Sequence, residues 1–424
     1  MPAENLKEAI APESPQETLP LDNQKSLRQR GPFLVFPLLM TIAIIAVLYT
    51  NTISTNLEFI TPLPDDSQVL SAQTPSPSEP KEIIGFLPFW NINEEERQRY
   101  HLLTQVAFFA LEIDAEGNIK KIKDDNTEEP GWTTYKSQAF GTMYRKAKDS
   151  GAKVVLTIQA LGPEVITSVL NDPQKRKRAI HQTLEIIAVK NLDGVNVDFE
   201  LSGSPAYRTR KNFTQFIQEL RTALTAQNPH LTLSVDVFAD AAAKVRLWEI
   251  PKIAKFADHI IIMAYDFHRM SSQVAGPIAP IRGAPKHWEY DISKTLTDFS
   301  KSMPLEKIIL GVPYYGYEWQ TSSEAAYAST YPRSGSLATY KRVQSLIAQK
   351  QTKLHWDEVA LSPRLTYVEN GKTYQIYYEN ETSLGLKYDL VNEAGLAGIA
   401  IWALGYDGEH PNLWNLLSEK FPKN

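Results

Sequence analysis

From Ile84 onward, short runs of β-branched and apolar residues alternate with longer stretches whose apolar positions recur at helical spacing. The runs predict strands at Ile83 to Leu87, Gln105 to Glu112, Lys153 to Ile158, Gly194 to Phe199, Leu231 to Val237, His259 to Ala264, Ile308 to Pro313 and Gly398 to Trp402. Between them, Gln174 to Lys190, Arg208 to Ala226 and Ile292 to Ser302 are long enough to cross back over a sheet, which makes neighbouring strands parallel. Eight such units predict an α/β protein built as a (β/α)8 TIM barrel. One interval, 319–397, is too long for a plain crossover between the seventh and eighth strands. It holds a helical stretch, Leu337 to Gln349, and two β-like pieces, Leu365 to Glu369 and Lys372 to Glu379, that meet at Asn370-Gly371. We expect a small α+β insertion there.

The chain before residue 83 has another character. Residues 1–30 are polar and rich in Glu and Pro, which predicts a disordered tail. In the segment 31–50, Phe33 to Tyr49 carries no charge and approaches the length of about 17 to 25 residues that spans a bilayer. Lys25, Arg28 and Arg30 precede it, and no further Lys or Arg occurs until Lys81. The positive-inside rule then predicts a single-pass transmembrane signal anchor with a cytoplasmic N-terminus and an extracytoplasmic remainder. A cleaved signal peptide is the competing reading, against which Thr50 to Thr55 offers no Ala-x-Ala-like site. Residues 51–82, with Pro62, Pro64, Pro75, Pro77 and Pro80 among Ser and Thr, read as an extended linker. The domain itself is expected over 83–424.

Composition narrows the chemistry. A net charge of −5 does not suggest a nucleic-acid binder, and 43% hydrophobic residues are enough for a sizeable core. The absence of Cys excludes disulfides, thiolate metal sites and a cysteine nucleophile together. His259 and His268 lack metal-ligand spacing with another His, so neither a metal nor a cofactor is expected. The basic run Lys175-Arg-Lys-Arg178 reads as a solvated helix face.

The most informative stretch is Asp193-Gly-Val-Asn-Val-Asp-Phe-Glu200, whose polar residues fall at a spacing of two. On a strand, Asn196, Asp198 and Glu200 share one face and Val195, Val197 and Phe199 the other; in a barrel these faces point inward and toward the helices. Burying two carboxylates is expensive, so stability does not explain them. Two close carboxyls do have a chemical use, because one is pushed toward its protonated form and can serve as a general acid. Glu200 also stands at the C-terminal end of its strand, where barrel enzymes place catalytic groups.

The same stretch resembles the DGxDxDxE signature of glycoside hydrolase family 18, the chitinase-like enzymes. Gly85-Phe-Leu-Pro-Phe-Trp90 resembles the family's first strand, Met263-Ala-Tyr-Asp266 its sixth, Gly311-Val-Pro-Tyr-Tyr-Gly316 its seventh and Gly398-Ile-Ala-Ile-Trp402 its eighth. The resemblance implies cleavage of β-1,4 bonds next to N-acetylglucosamine, in chitin-type oligosaccharide or peptidoglycan glycan, with the substrate's own acetamide as nucleophile and net retention. It makes Glu200 the acid/base, has Asp198 orient the acetamido group, and gives Tyr265 and Asp266 hydrogen bonds to it. Asp193 and Asn196 support them, and Trp402 forms a floor beneath the sugar. Phe86, Trp90, Gln159, Met263 and Tyr315 are implied as further substrate-binding positions.

Two departures stand out. The family's middle Asp is Asn196, which can hydrogen-bond to Asp198 but cannot share a proton with it, and the third strand reads Thr157-Ile-Gln-Ala-Leu-Gly162 instead of S-x-G-G. Both features point away from a standard chitinase, and by the resemblance an Asn at this position is familiar from the spore-cortex and peptidoglycan-acting branch. The alternative is a catalytically inactive sugar-binding protein of the cell envelope. Trp132, Trp319 and Trp356 are weaker candidates for sugar platforms.

Overall fold

The computed structural model of the protein describes residues 80–349 and 351–422. The expected tail and anchor, and the linker up to residue 79, lie outside the described residues. Among the described residues, no helix is long and apolar enough to cross a membrane.

Strands β1 (Glu82–Pro88), β2 (Gln105–Glu112), β3 (Lys153–Leu161), β4 (Gly194–Glu200), β5 (Thr232–Phe238), β6 (His259–Met263) and β7 (Ile308–Pro313) are followed by five strands of the insertion. These are β8 (Tyr315–Thr321), β9 (Ser336–Thr339), β10 (Lys353–Asp357), β11 (Ser362–Glu369) and β12 (Lys372–Tyr377), and β13 (Gly398–Trp402) then returns to the main sheet. The parallel strands close a barrel in the order β1-β13-β7-β6-β5-β4-β3-β2. The insertion is an antiparallel sheet ordered β10-β11-β12-β8-β9.

The helices are α1 (Pro130–Lys136), α2 (Gln138–Asp149), α3 (Pro163–Asn171), α4 (Pro173–Lys190), α5 (Tyr207–Gln227), α6 (Ile250–Ile253), α7 (Ile292–Ser300), α8 (Tyr340–Gln349), α9 (Glu381–Glu393) and α10 (Asn412–Lys420). Their ends are chemically specified. Asp172 accepts hydrogen bonds from the first free amides of α4, Pro173 begins that helix, and Asn191 ends it in the left-handed region at φ 51°. The basic run on α4 does not simply face solvent: Arg176 is buried and bonds Glu219 and the Leu170 carbonyl.

The pleat sorts the side chains as the sequence leads one to expect. Phe199 points outward and stacks on Phe216 of α5, with ring centroids 5.3 Å apart, while Asn196 and Asp198 are buried inside. The barrel interior is chemically divided. Ile84 and Phe86 of β1, Phe109 of β2, Ile261 of β6, Ile309 of β7 and Ala400 of β13 form an apolar cluster. Thr157, Asn196, Asp198, Ser234 and Asp236 on β3 to β5 supply buried polar groups.

The insertion differs from its expected limits. Its sheet begins at Tyr315, just after the barrel strand, because Tyr315 to Thr321 pairs with β12 and β9 instead of following β7. Its expected last stretch is α9, a helix that packs against β13 and belongs to the barrel's outer layer. Leu337 lies in β9, and the insertion's helix starts at Tyr340.

Candidate active site

The C-terminal ends of the barrel strands open into a cavity of about 1000 Å³. Phe86, Trp90, Gln159, Asp198, Glu200, Met263, Tyr265, Asp266, Tyr315 and Trp402 line it together. Asn196 lies deeper in the barrel, fully buried, and its amide donates to Ser234 Oγ at 3.0 Å and to Asp236 Oδ1 at 2.8 Å. Asp193 is elsewhere. It precedes β4 and accepts hydrogen bonds from Lys148 Nζ at 2.7 and 2.8 Å and from the Val154 amide at 2.7 Å. Seven residues of strand, about 23 Å, separate it from Glu200. It secures the far end of the barrel and does not enter the cavity.

One wall is aromatic. Trp402 meets Phe109 at a centroid distance of 4.6 Å, Phe86 at 5.8 Å and Trp90 at 6.4 Å. Trp90 is half exposed, at 49%, so its ring is available to a ligand. Such a wall suits the C–H face of a pyranose, with a few fixed polar groups opposite it. Trp319 does not contribute: it is fully buried, and its indole N–H bonds the Met270 carbonyl. Trp132 stacks on Tyr135 outside the cavity, and Trp356 is not part of the lining.

The other wall is acidic. Asp198 Oδ2 accepts from Gln159 Nε2 at 2.7 Å, while its Oδ1 is buried with no partner among the described residues. Burial first, and the Glu200 charge second, push the Asp198 carboxyl up to about 8 against the pull of Gln159. Burial also raises Glu200; Arg269 pulls the other way and Asp266 adds to the rise. A carboxyl that keeps its proton near neutral pH is what a general acid needs.

Asp266 holds the left-handed conformation at φ 60°, which non-glycine residues adopt only when their surroundings fix them. Here Tyr315 and Tyr317 of the insertion both donate hydrogen bonds to its Oδ1, the latter at 2.9 Å. Burial dominates its pKa and raises it. The result is a carboxyl held at one orientation across the cavity from β4.

Several lining groups were not expected from the sequence. Phe109 and Tyr317 carry no sequence signal of their own, because they sit in otherwise ordinary strands. Asp236 had a legible signal, since Ser234 and Asp236 alternate with Leu233, Val235 and Val237 just as the polar residues of β4 alternate with its apolar ones.

A buried acid raised to about 8 has a thermodynamic consequence. With Asp198 in it, the folded acid row keeps a proton that the unfolded chain, with a carboxyl near 3.9, releases. Stability contributed by this group therefore falls as pH rises from about 4 to about 8. Asp198→Asn is expected to raise Tm, by more at pH 8 than at pH 5; thermal melts across that range check it, and a variant that melts lower at pH 8 would refute it.

Comparison with known proteins places this arrangement. The model of the family Glycosyl hydrolases family 18 matches residues 82–407. YdhD of Bacillus subtilis (strain 168), which carries the name of a sporulation-specific glycosylase, is 28% identical over 62% of this chain and 58% of its own length. The cortical fragment-lytic enzyme of the same organism is 24% identical over the same shares, so the chain spans less than two thirds of either relative. The crystal structure of a family 18 chitinase from Cycas revoluta in complex with (GlcNAc)3 superposes with a TM-score of 0.68 at 22% identity, covering 80% of this chain and 99% of that one, which establishes the shared fold. With the match running over most of the chain and through the whole barrel, the protein belongs to family 18 of the glycosyl hydrolases.

Proposed function

We propose that the protein cleaves β-1,4 bonds next to N-acetylglucosamine by substrate-assisted retaining catalysis. The observation that carries this reading is the inward pair Asp198 and Glu200 at the end of β4, in a cavity that also holds the Trp402 wall and the fixed Asp266. Glu200 gives its proton to the glycosidic oxygen. The acetamide oxygen of the substrate attacks C1, and Asp198 orients that acetamide and balances its developing positive charge. Water then opens the cyclic intermediate with Glu200 as base. The names of the Bacillus relatives support a peptidoglycan-type glycan, and the ligand of the cycad enzyme supports a chitin-type one.

The test uses the full chain on N-acetylglucosamine oligosaccharides and on purified peptidoglycan, with product anomers followed by NMR. Retention at C1, and no cleavage of the fully deacetylated oligosaccharide, are expected. Inversion, or equal cleavage of the deacetylated chain, would remove the acetamide from the mechanism. Binding of either glycan without cleavage would favour the sugar-binding alternative that Asn196 suggests. Trp402→Ala is expected to lower kcat/KM about 10- to 100-fold by removing the apolar floor, and an unchanged value would place the sugar elsewhere.

The reading includes a location. Segment 31–50 anchors the chain in a membrane, and the barrel lies on the extracytoplasmic side beyond the 51–82 linker. Because the chain has no Cys, single cysteines introduced at Ser71 and at Asn23 report their side directly. A membrane-impermeant maleimide should label the first and not the second in intact cells; the reverse pattern would overturn the orientation.

A further inference from the structure

Strand β5 carries a carboxyl that the reaction above leaves unused. Asp236 is buried, 4% exposed, and lines the same cavity as Asp198, Glu200 and Tyr265. Strands β4 and β5 pair so that Asn196 faces Ser234 and Val197 faces Val235. One residue further along, that register sets Asp198 beside Asp236 on the inner face. Asn196 sits one inward position below Asp198, and its amide holds Asp236 Oδ1 at 2.8 Å. An amide cannot exchange protons with Asp198, but this one fixes the carboxyl that can.

Among the described residues the hydrogen-bond partners of Asp198 and Asp236 are the neutral amides of Gln159 and Asn196, and a buried carboxylate without a cation is costly. Two adjacent carboxyls in such a place do not both ionise near neutral pH. Other ionisable groups around Asp236 are Glu200 on β4, and Tyr265, Asp266 and Arg269 beyond β6. Asp240, Lys244 and Arg246 stand at the rim after β5, and Asp240 is already paired with both cations.

We propose that Asp236 is the proton-holding partner of Asp198: the two carboxyls, on neighbouring strands, keep one proton between them, and Asn196 orients the carboxyl that retains it. Burial and the Asp198 charge both push Asp236 well above the usual carboxylate range, in keeping with that assignment. The inference rests on the glycosidase reading above. When the C1–O bond breaks, its electron pair leaves on the oxygen that takes the Glu200 proton, and the acetamide oxygen bonds to C1. Negative charge then gathers on Asp198 against the cationic ring while the shared proton stays on Asp236. Water then bonds to C1 as the C1–acetamide oxygen bond breaks, its electron pair returning to the acetamide, and the water's proton goes to Glu200, so Asp236 ends as it began. It acts through Asp198 and is a positioning residue.

The experiment measures the pH dependence of kcat/KM on whichever glycan the wild-type chain cleaves, for Asp236→Asn and for the exchange variant Asn196→Asp/Asp236→Asn, which moves the carboxyl to β4. Asp236→Asn should lose at least tenfold in kcat. Its alkaline limb should move to lower pH, because the proton the pair retains is then held by Asp198 alone, with no second carboxyl to share it. The exchange should restore the limb and most of kcat. A wild-type profile in Asp236→Asn, or an exchange variant that melts normally yet stays as impaired as the single one, would overturn the proposal. Infrared titration of the protonated-carboxyl band needs no turnover: Asp236→Asn should lose intensity at neutral pH, and an unchanged band would refute the shared proton. A wild-type chain that cleaves no glycan would instead refute the glycosidase reading, and the infrared result would still judge the carboxyl pair.

Discussion

Replacing Glu200 by Gln is expected to lower kcat by about 10²- to 10⁴-fold with little change in KM. The amide keeps the shape and the hydrogen-bonding capacity of the side chain, so sugar binding against Trp402 survives. It has no proton to give, and the glycosidic oxygen must leave as an alkoxide. The loss corresponds to about 3 to 5 kcal/mol of transition-state stabilisation. An aryl glycoside with an acidic phenol needs less protonation on departure, so the same variant should lose much less on it. Steady-state kinetics on both substrates check the assignment, and an equal loss on the two would show that Glu200 does something other than donate a proton.

Lys387→Met is expected to destabilise the fold by about 3 to 5 kcal/mol. Lys387 of α9 and Glu379, which follows β12, are both completely buried and joined at 2.6 Å, and Glu379 Oε1 has no partner among the described residues. Even in the intact pair, burial outweighs the ammonium and raises the Glu379 carboxyl. Without Lys387 burial is opposed only by the hydrogen bond with Ser383, and the folded variant takes up a proton that the unfolded chain releases near 4.3. Its deficit therefore widens as pH rises above about 4 and narrows in acid. Restoring neutrality in Glu379→Gln/Lys387→Met should recover part of the loss, because removing both partners costs less than stranding one. Denaturant melts of the three proteins at pH 4 and pH 7 measure this; a single variant as stable as wild type would mean that the pair contributes nothing net.

Much of this architecture is readable in the sequence because a strand's period of two is a strong local signal. Gln105–Glu112, Ile308–Pro313 and Gly398–Trp402 begin and end where the apolar runs do. The inward row on β4 follows from alternation alone. What the sequence hides is which strand a residue pairs with. The motif resembling the seventh strand runs on to Gly316, and only the pairing of Tyr315 to Thr321 with β12 and β9 shows that the insertion already begins there. Asp193 opens the motif that ends at Glu200, yet strand geometry places it at the opposite end of the barrel. Asp236 is hidden because Leu231 to Val237 reads as an apolar run and its partner Asn196 is distant in sequence.

The insertion has a meaning for how this fold can change. Its first strand supplies the two tyrosines that hold Asp266, and Leu337 of the next lines the same cavity. A lineage that trimmed this module to widen the cleft would also release the carboxyl facing the acid row. Cleft width and the orientation of Asp266 are therefore coupled, whereas the turns between β9 and β12, away from Tyr315 and Tyr317, can change in length without touching that carboxyl.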